Sequence, residues 1–290
     1  MKAKGVCLMV TSSIFFSLSA VLVKDISRYF NSHFISTARF VMGIILGMAF
    51  LLFSKKPFKV HDKKPWVLRG VLGSVSMILF YLAIEMTSSA RATLMNNFYV
   101  IFTASFGFIF YKERIRLTNL ISIVLCLLGV TIIFYDGSEY PLLGDAIGLL
   151  SGILMGIGVH YTKRSSEKEH PIVVYLSACI FGLVFAPLSS VHQPKVGLMP
   201  IIVLLGISVS SFLAQWLMTS GYSKLSTVHG SLLSYLKIPF TAVLGVLFGQ
   251  TLTARFYVGT ILLVIGLLVE SEIIKIKPVP SKTMIQEGEI

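Results

Sequence analysis

The stretch from residue 198 to residue 221 reads LMPIIVLLGISVSSFLAQWLMTSG and contains no charged side chain. A helix needs about 20 mostly apolar residues to cross the hydrocarbon core of a bilayer, so this stretch is long enough to span a membrane. Nine other stretches have the same apolar character. Together they predict ten transmembrane helices, at 5–23, 33–53, 66–86, 89–111, 117–135, 144–162, 171–190, 198–221, 227–248 and 255–274.

The composition of the whole chain agrees with this prediction and excludes a soluble protein. Of its 290 residues, 55% are hydrophobic and only 13% are charged, about half of the charged fraction that is usual in soluble domains. The mean hydropathy of +0.83 also excludes a disordered chain. Cys7, Cys126 and Cys179 lie far apart in apolar stretches, so the sequence predicts neither a disulfide framework nor a metal site.

The net charge of +12 has two interpretations, a nucleic-acid partner or cationic loops on the cytoplasmic side of a membrane. If the N-terminus is cytoplasmic and the ten stretches alternate, 17 Lys and Arg residues fall in cytoplasmic segments and five fall in outer segments. This bias is typical of membrane proteins. The sequence therefore predicts an integral membrane protein with both termini in the cytoplasm, in contact with membrane lipids and without a nucleic-acid partner.

The ten stretches divide into two sets of five. At an offset of 137 residues, the start of the fourth stretch falls near Ser226, and Gly129 falls on Gly266. Because five is an odd number, the second set has to be inverted in the membrane, as in many secondary transporters. The predicted fold is an all-α integral membrane protein with ten transmembrane helices in two inverted five-helix repeats. The repeats are predicted at 1–137 and 138–277, followed by a disordered cytoplasmic tail at 278–290.

Several short motifs carry a resemblance to a known family. They are Ala38-Arg39-Phe40, Tyr81-Leu82-Ala83-Ile84, Ser88-Ser89-Ala90-Arg91-Ala92, Tyr111-Lys112-Glu113-Arg114-Ile115 and Leu263-Val264-Ile265-Gly266. With them the chain resembles the EamA-like branch of the drug/metabolite transporter (DMT) superfamily. The resemblance implies a transporter of small metabolites in a bacterial inner membrane, and the branch includes metabolite exporters.

The sequence departs from the pattern of that family at two places. The proline expected in the middle of the fourth stretch is replaced by Phe102 or a neighbour, and Gln250 stands where a second acidic residue is usual. The kink expected in the first half, and the symmetry of the two halves, are therefore open at this point.

Lys237 is the charged residue that topology explains least, because it lies in the middle of the ninth stretch. A charged side chain at the bilayer centre is costly unless it faces a water-filled cavity or a partner. Pro239, two residues further on, removes a helical donor and leaves the carbonyl of Tyr235 without its usual partner. We expect Lys237 to contact an anionic group of the substrate, and an internal pair with a carboxylate is the alternative. The resemblance agrees with the first, because related nucleotide-sugar branches carry a basic residue in this helix.

Further candidates for substrate binding lie on the third, fourth and eighth stretches. Helical spacing puts Asn96 and Tyr99 on one face of the fourth stretch, with Asn97 beside them. The predicted substrate-binding residues are Lys237, Asn96, Asn97, Tyr99, Tyr81, Gln215, Trp216 and Tyr235. For the polar residues the alternative is hydrogen bonding between helices, and for the aromatic ones it is packing.

Two further charged residues, Arg39 and Glu85, lie near the outer ends of the second and third stretches. We expect them to form an ion pair that acts as a gate at the outer mouth. In the alternative, each side chain extends separately to the water at the membrane surface.

The predicted function is a secondary transporter that moves a small organic metabolite by alternating access through a central cavity between the repeats. The metabolite is expected to carry an anionic group, as an amino acid or a related compound does. No cofactor is expected, and the chain lacks a P-loop for ATP. A non-transporting membrane scaffold or receptor is the first alternative, and an intramembrane enzyme is the second. A coupling ion or an exchange substrate cannot be identified from the sequence.

Overall fold

The computed structural model describes residues 2–26, 29–112, 116–135, 137–185, 197–247 and 253–270. The regular structure of these residues is helical throughout, and a 3-10 turn, Ser234–Leu236, joins α10 to α11. The helices are α1 (Lys2–Ile26), α2 (Ser32–Phe53), α3 (Lys63–Met86), α4 (Ser89–Asn97), α5 (Tyr99–Tyr111), α6 (Leu117–Phe134), α7 (Leu142–Ser166), α8 (Pro171–Phe185), α9 (Leu198–Tyr222), α10 (Thr227–Leu233), α11 (Lys237–Leu247) and α12 (Ala254–Glu270). The predicted disordered tail at 278–290 lies outside the described residues.

Eight helical segments are long and apolar enough to cross a membrane. Two of them, Ala90–Phe110 and Thr227–Leu247, each contain an interruption between two helices. Two shorter apolar helices, Pro171–Phe185 and Ala254–Val269, complete the set among the described residues. These segments fall on the ten stretches predicted from the sequence.

The exterior of the helix bundle is apolar, and many of its small polar side chains are buried. Large hydrophobic residues such as Leu52, Phe110 and Ile261 are exposed, whereas Ser74 and Ser151 are fully buried. This distribution suits lipid, which solvates an apolar exterior while buried hydroxyls hydrogen-bond inside the protein. Ser76, for example, donates from Oγ to the carbonyl of Ser151 at 2.8 Å.

The segment formed by α4 and α5 is interrupted without a proline. Phe98 separates the two helices, and its N–H donates to the carbonyl of Met95 at 3.3 Å. The carbonyl of Phe98 in turn accepts from Ile101 at 3.0 Å, so the bonds here join residues three apart, as in a 3-10 turn. An offset of 137 residues carries Phe98 onto Tyr235, the middle residue of the turn between α10 and α11. The two segments are therefore interrupted at corresponding positions.

The two interrupted segments also begin in the same way. The hydroxyl of Ser88 accepts from the N–H of Arg91 at 3.0 Å, and the hydroxyl of Ser226 accepts from the N–H of His229 at 3.3 Å. Serine at this position satisfies one of the free N–H groups of a helix start. The similarity of the two sequence segments thus has a structural reason in helix capping.

The packing of the helices repeats between the halves of the chain. Helix α1 lies along α9, and helix α3 lies along α7. Helix α7 contacts α5, as α1 contacts α11, and the final helices of the two halves, α6 and α12, pack on each other. Each of these contacts has a counterpart when the helices of one half are exchanged for those of the other.

Glycines allow the closest of these approaches. A Cβ at Gly152 would lie 2.9 Å from the carbonyl oxygen of Asn96, and one at Gly156 would lie 3.0 Å from the carbonyl oxygen of Tyr99. Helix α7 therefore packs directly on the backbone around the interruption at Phe98. The spacing of four residues puts these glycines on one face of α7, where small residues permit close contact.

The loop between α2 and α3 is tied to the loop between α7 and α8. The carboxylate of Glu169, which is almost fully buried, accepts from the N–H of His61 at 2.6 Å and from the N–H of Asp62 at 2.8 Å. It also lies 3.0 Å from Nδ1 of His61. Burial alone raises the pKa of this carboxyl, but the hydrogen bonds outweigh burial and hold the pKa below its ordinary value. Lys168 and Asp62 form an ion pair in the same place.

Candidate functional site

A cavity of about 160 Å³ lies between the two halves of the chain. Helices α2, α3 and α4 form one wall, and helices α7, α8 and α9 form the other. The first wall contributes Arg39, Phe40, Arg69, Gly73, Ser76, Met77, Phe80 and Asn96, and the second contributes Met155, Tyr175, Ala178, Cys179 and Gln215. We call it the arginine cavity, after Arg39 and Arg69.

Arg69 is the most deeply buried charge of the arginine cavity, with only 3% of its surface exposed. It lies about 9 Å along α3 from Lys63. Its guanidinium runs along the helix to Gly73, where it occupies the space that a Cβ would take. The group lies near enough to Tyr175 and Cys179 for its charge to act on both. Its Nε atom is buried and has no hydrogen-bond partner among the described residues.

Arg39 reaches the arginine cavity from α2. Its Nη1 donates to the hydroxyl of Tyr81 at 3.0 Å, which holds the side chain against α3. Like Arg69, it has a buried Nε atom without a partner among the described residues, and its charge also acts on Tyr175. Two arginines from neighbouring helices therefore line one cavity.

Neutral polar groups complete the lining of the arginine cavity. Oε1 of Gln215 is buried without a partner among the described residues, so it is a free acceptor. Nδ2 of Asn96 donates to the hydroxyl of Ser151 at 2.9 Å, and that hydroxyl donates to the carbonyl of Gly148 at 2.6 Å. The amide of Asn96 is thus held in place by α7, whereas the carbonyl of Gln215 is available.

The charges that line the arginine cavity are positive only. None of its described lining residues is an aspartate or a glutamate. An isolated cation at membrane depth is costly unless water or a counter-ion accompanies it. Guanidinium groups bind planar anionic groups through two parallel hydrogen bonds, so the arrangement suits a carboxylate or a phosphate.

A second polar cluster lies where the two interrupted segments meet. The hydroxyl of Tyr235 donates to the carbonyl of Asn97 at 2.5 Å, and the hydroxyl of Tyr99 donates to the carbonyl of Ser231 at 3.1 Å. Nζ of Lys237 lies 5.8 Å from the centre of the Tyr99 ring, within the range of a cation–π contact. We call this cluster the lysine crossing.

The backbone of the lysine crossing is held by α1. The hydroxyl of Ser17 donates to the carbonyl of Lys237 at 2.8 Å. That carbonyl also accepts from the hydroxyl of Thr241 at 2.6 Å. Pro239 falls in the first turn of α11, where a missing N–H costs little because the first N–H groups of a helix have no partner within it. The lysine crossing is therefore fixed by hydrogen bonds between segments.

Comparison with known proteins decides the family. The model of the EamA-like transporter family matches residues 3–135 and again residues 142–271. The chain belongs to the EamA-like transporter family. This family lies within the drug/metabolite transporter superfamily, and the chain is an integral membrane protein.

Individual relatives of this EamA-like chain are distant. An uncharacterized transporter of Helicobacter pylori strain J99 is 26% identical over 85% of this chain and 87% of its own length. The pseudopaline exporter of Pseudomonas aeruginosa strain UCBPP-PA14 is 26% identical over 90% of this chain and 94% of its own length. Mouse solute carrier family 35 member G1 is 31% identical over 47% of this chain and 38% of its own length. These relatives are transporters by name.

A solved structure shares the fold. It superposes with a TM-score of 0.80 at 14% sequence identity, and the match covers 94% of this chain and 98% of the other. At this identity the likeness concerns the fold alone.

The predicted site residues of this EamA-like chain divide between the two clusters. Asn96, Gln215 and Arg39 line the arginine cavity. The lysine crossing holds the four others that lie on the interrupted segments, which are Lys237, Asn97, Tyr99 and Tyr235. Asn96 and Tyr99 end in different clusters, although helical spacing predicts a shared face, because the helix is interrupted between them at Phe98.

Three further predicted residues lie at other places. Tyr81 contacts the arginine cavity only indirectly, through its hydrogen bond with Arg39. Trp216 packs against Phe50 with ring centres 5.0 Å apart, among other apolar side chains. The side chain of Glu85 lies outside the described residues, so the predicted ion pair with Arg39 stays a prediction.

Arg69 is the principal residue of the cavity that the sequence did not reveal. Its position near the start of α3 is equally compatible with a side chain that extends to the membrane surface. The signal that distinguishes the two is Gly73, four residues further on the same face, which leaves room for a guanidinium to lie along the helix. Tyr175 and Cys179 have the same spacing on α8, but nothing in the sequence marks them as polar lining.

Proposed function

We propose that this chain is a secondary transporter that carries a small organic metabolite with an anionic group through the arginine cavity. The observation that carries the proposal is the pair of guanidinium groups, from Arg39 and Arg69, in one cavity whose described lining holds no carboxylate. Such a cavity attracts an anion and disfavours a cation of similar size. The substrate class in this proposal is an organic acid, an amino acid or a related anionic compound.

The proposal includes alternating access by ten transmembrane helices in two inverted five-helix repeats, 1–137 and 138–277. The matched interruptions at Phe98 and Tyr235 support it, as does the exchange of helix contacts between the halves. Transporters with inverted repeats bind their substrates at interrupted helices near the middle of the membrane, between the repeats. The arginine cavity, which takes its walls from both halves, agrees with that location.

The lysine crossing has a separate place in the proposal. Lys237 does not line the cavity, and no carboxylate among the described residues pairs with it. We infer that its charge meets the anionic group of the substrate when the interrupted segments move during the transport cycle. The pair of Arg39 and Glu85 is the proposed outer gate of the empty transporter, and an acidic group of the substrate takes the place of Glu85 at Arg39 when it binds. The hydroxyl of Tyr81 accepts from the same guanidinium.

The proposal also includes export across a bacterial inner membrane, with both termini in the cytoplasm. The name of the pseudopaline exporter, a relative along nearly the whole chain, supports export. The bacterial relatives support the inner membrane as the location. The excess of Lys and Arg in alternate loops supports cytoplasmic termini.

Counterflow of radiolabelled organic acids into liposomes tests the proposal. Arg69→Met removes the buried charge of the arginine cavity, and we expect uptake to fall to the level of empty liposomes. Arg164→Met, an equal exchange at an exposed position near the end of α7, is the matched control and should transport as the unmodified chain does. Full transport by Arg69→Met would overturn the proposal, and so would uptake confined to neutral or cationic compounds.

A further inference from the structure

Three residues that line the arginine cavity each have a buried polar atom without a partner among the described residues. They are the donors Nε of Arg39 and Nε of Arg69, and the acceptor Oε1 of Gln215. Buried donors and acceptors in folded proteins are nearly always satisfied, so unpaired atoms on the lining residues indicate which groups a ligand supplies when these side chains turn toward it. A ligand that satisfies these atoms has anionic acceptors for the two arginines and a hydrogen-bond donor for Gln215.

The two guanidinium groups favour two acidic groups on the substrate. Each carries a full positive charge, and none of the described lining residues compensates either of them. A single carboxylate leaves one of these charges uncompensated at membrane depth, where an isolated charge is costly. A dianion compensates both and keeps the filled cavity close to neutral.

The carbonyl of Gln215 favours a hydroxyl over an ammonium group. Both can donate a hydrogen bond to Oε1, but the ammonium adds a third positive charge to a cavity that already holds two. Like charges in a shared site of low polarity repel strongly. A hydroxyl supplies the donor without that repulsion.

Resting on the transport function proposed above, we propose that the substrate is a small organic dianion that also carries a hydroxyl group. Arg39 and Arg69 take the two acidic groups, and Gln215 takes the hydroxyl. This assignment restricts the expected substrates to hydroxylated diacids. It predicts that amino acids bind weakly. Gln215 is then a specificity-determining residue that distinguishes the hydroxyl from hydrogen at the same carbon.

Three acids with the same carbon skeleton test this assignment on the purified full-length chain. Malate carries the hydroxyl, succinate carries hydrogen in its place, and aspartate carries an ammonium group. The measurement is the dissociation constant of each acid from thermal unfolding at matched ionic strength and neutral pH. We expect malate to bind about 3- to 10-fold more tightly than succinate, as the net gain of one hydrogen bond predicts. Aspartate should bind more weakly than succinate.

A variant of Gln215 tests whether this residue causes the preference for malate over succinate. In Gln215→Met the acceptor is lost while the size of the side chain is kept, so malate and succinate should bind equally. Thr219→Val is the matched control, because Thr219 lies one turn further on α9 and does not line the cavity, and its buried hydroxyl has no partner in the described part of the chain. It should keep the preference for malate.

The outcomes separate this inference from the proposed function. Equal binding of malate and succinate by the unmodified chain overturns the assignment of the hydroxyl, as does an unchanged preference in Gln215→Met. Tighter binding of aspartate overturns the argument from charge. If none of the three acids binds while counterflow proceeds with another organic anion, only the dianion assignment fails. If counterflow occurs only with neutral or cationic solutes, the proposed transport of anionic metabolites is refuted as well.

Discussion

The arginine cavity and the lysine crossing both hold buried positive charge, but they accommodate it in different ways. In the lysine crossing, Nζ of Lys237 lies over the ring of Tyr99, and hydrogen bonds from Ser17 and Tyr235 hold the surrounding backbone. In the arginine cavity, two arginines line one space, and the Nε atom of each is a donor without a partner among the described residues. One cluster connects the interrupted segments, whereas the other lines a cavity between the two halves of the chain.

On the proposed function, the position of a charge along its span is a poor guide to whether it binds substrate. Lys237 is the residue nearest to the middle of its span, and a sequence argument selects it first. Arg69 lies nearer to a helix end, yet Gly73 allows its guanidinium to lie along the helix and face the cavity. The direction of a side chain, which its neighbours determine, decides whether a charge can reach a substrate.

The strongest test of this comparison is Arg69→Met. Removing one partner of a buried charge pair typically costs 2 kcal/mol or more, so we expect the affinity for the organic acid to fall by about 30-fold or more. The measurement is the dissociation constant from ligand-dependent thermal unfolding. Arg69→Lys keeps the charge but not the two parallel donors. Its dissociation constant should lie between that of Arg69→Met and that of the unmodified chain. Unchanged affinity in Arg69→Met would refute the role of the cavity.

Gly73→Ala tests the position of the guanidinium without removing it. The added methyl group would occupy the place of Nη1 of Arg69, so the side chain has to move. Overpacking of this kind costs about 1–3 kcal/mol, and we expect the affinity for the acid to fall by about 10-fold. Gly158→Ala is the control on the facing helix, where the nearest atoms to a new Cβ are 3.7 Å and 3.9 Å away. Equal behaviour of the two variants would count against a positioning role for Gly73.

Lys237→Met should have a smaller effect on affinity. A cation–π contact is worth about 0.5–2 kcal/mol, and Lys237 does not line the cavity, so we expect the dissociation constant to rise less than about 3-fold. The rate of counterflow should fall by a larger factor than the affinity does, because the interrupted segments have to move past Lys237 during transport. A loss of affinity as large as that of Arg69→Met would instead place the substrate at the lysine crossing.

Glu169 does not line the arginine cavity or belong to the lysine crossing, so this loop contact should affect only stability. The pKa of this carboxyl is lowered in the folded protein, so its contribution is present above the pKa of the unfolded chain and is lost as the pH falls through the folded pKa. Near neutral pH, Glu169→Gln should lower the Tm by about 2–4 °C. The difference from the unmodified chain should shrink as the solution is acidified below the ordinary pKa of a glutamate.

Glu167→Gln is the control for this position, because the carboxylate of Glu167 is half exposed in a pair with Lys163. We expect no change of Tm in that variant and no change of ligand affinity in either. A difference between the Glu169 variant and the unmodified chain that stays constant with pH would contradict the role of the charged carboxylate.

The sequence predicts the general plan of this molecule because that plan depends on local properties. Span length and hydropathy identify the helices, and the glycines of α7 are spaced for the close contact that they make. Asn96 and Gln215 could be selected because polar residues within a span are few. The positions of these residues on their helices are enough to predict that they face inward.

The interruption at Phe98 and the orientation of Arg69 could not be predicted in the same way. A proline follows the break between α10 and α11, but the segment of α4 and α5 has none. The interruption at Phe98 lies instead where the backbone contacts Gly152 and Gly156. Arg69 faces the cavity because Gly73 gives it space and because α8 brings Tyr175 beside it. Both features arise from contacts between helices that are distant in the sequence.

The most direct test of the central claim is a structure of this chain with its transported anion bound. The account predicts that the acidic groups lie within hydrogen-bond distance of Arg39 and Arg69, inside the arginine cavity. An anion bound instead against Lys237 and Tyr99, with the cavity occupied by water alone, would contradict it.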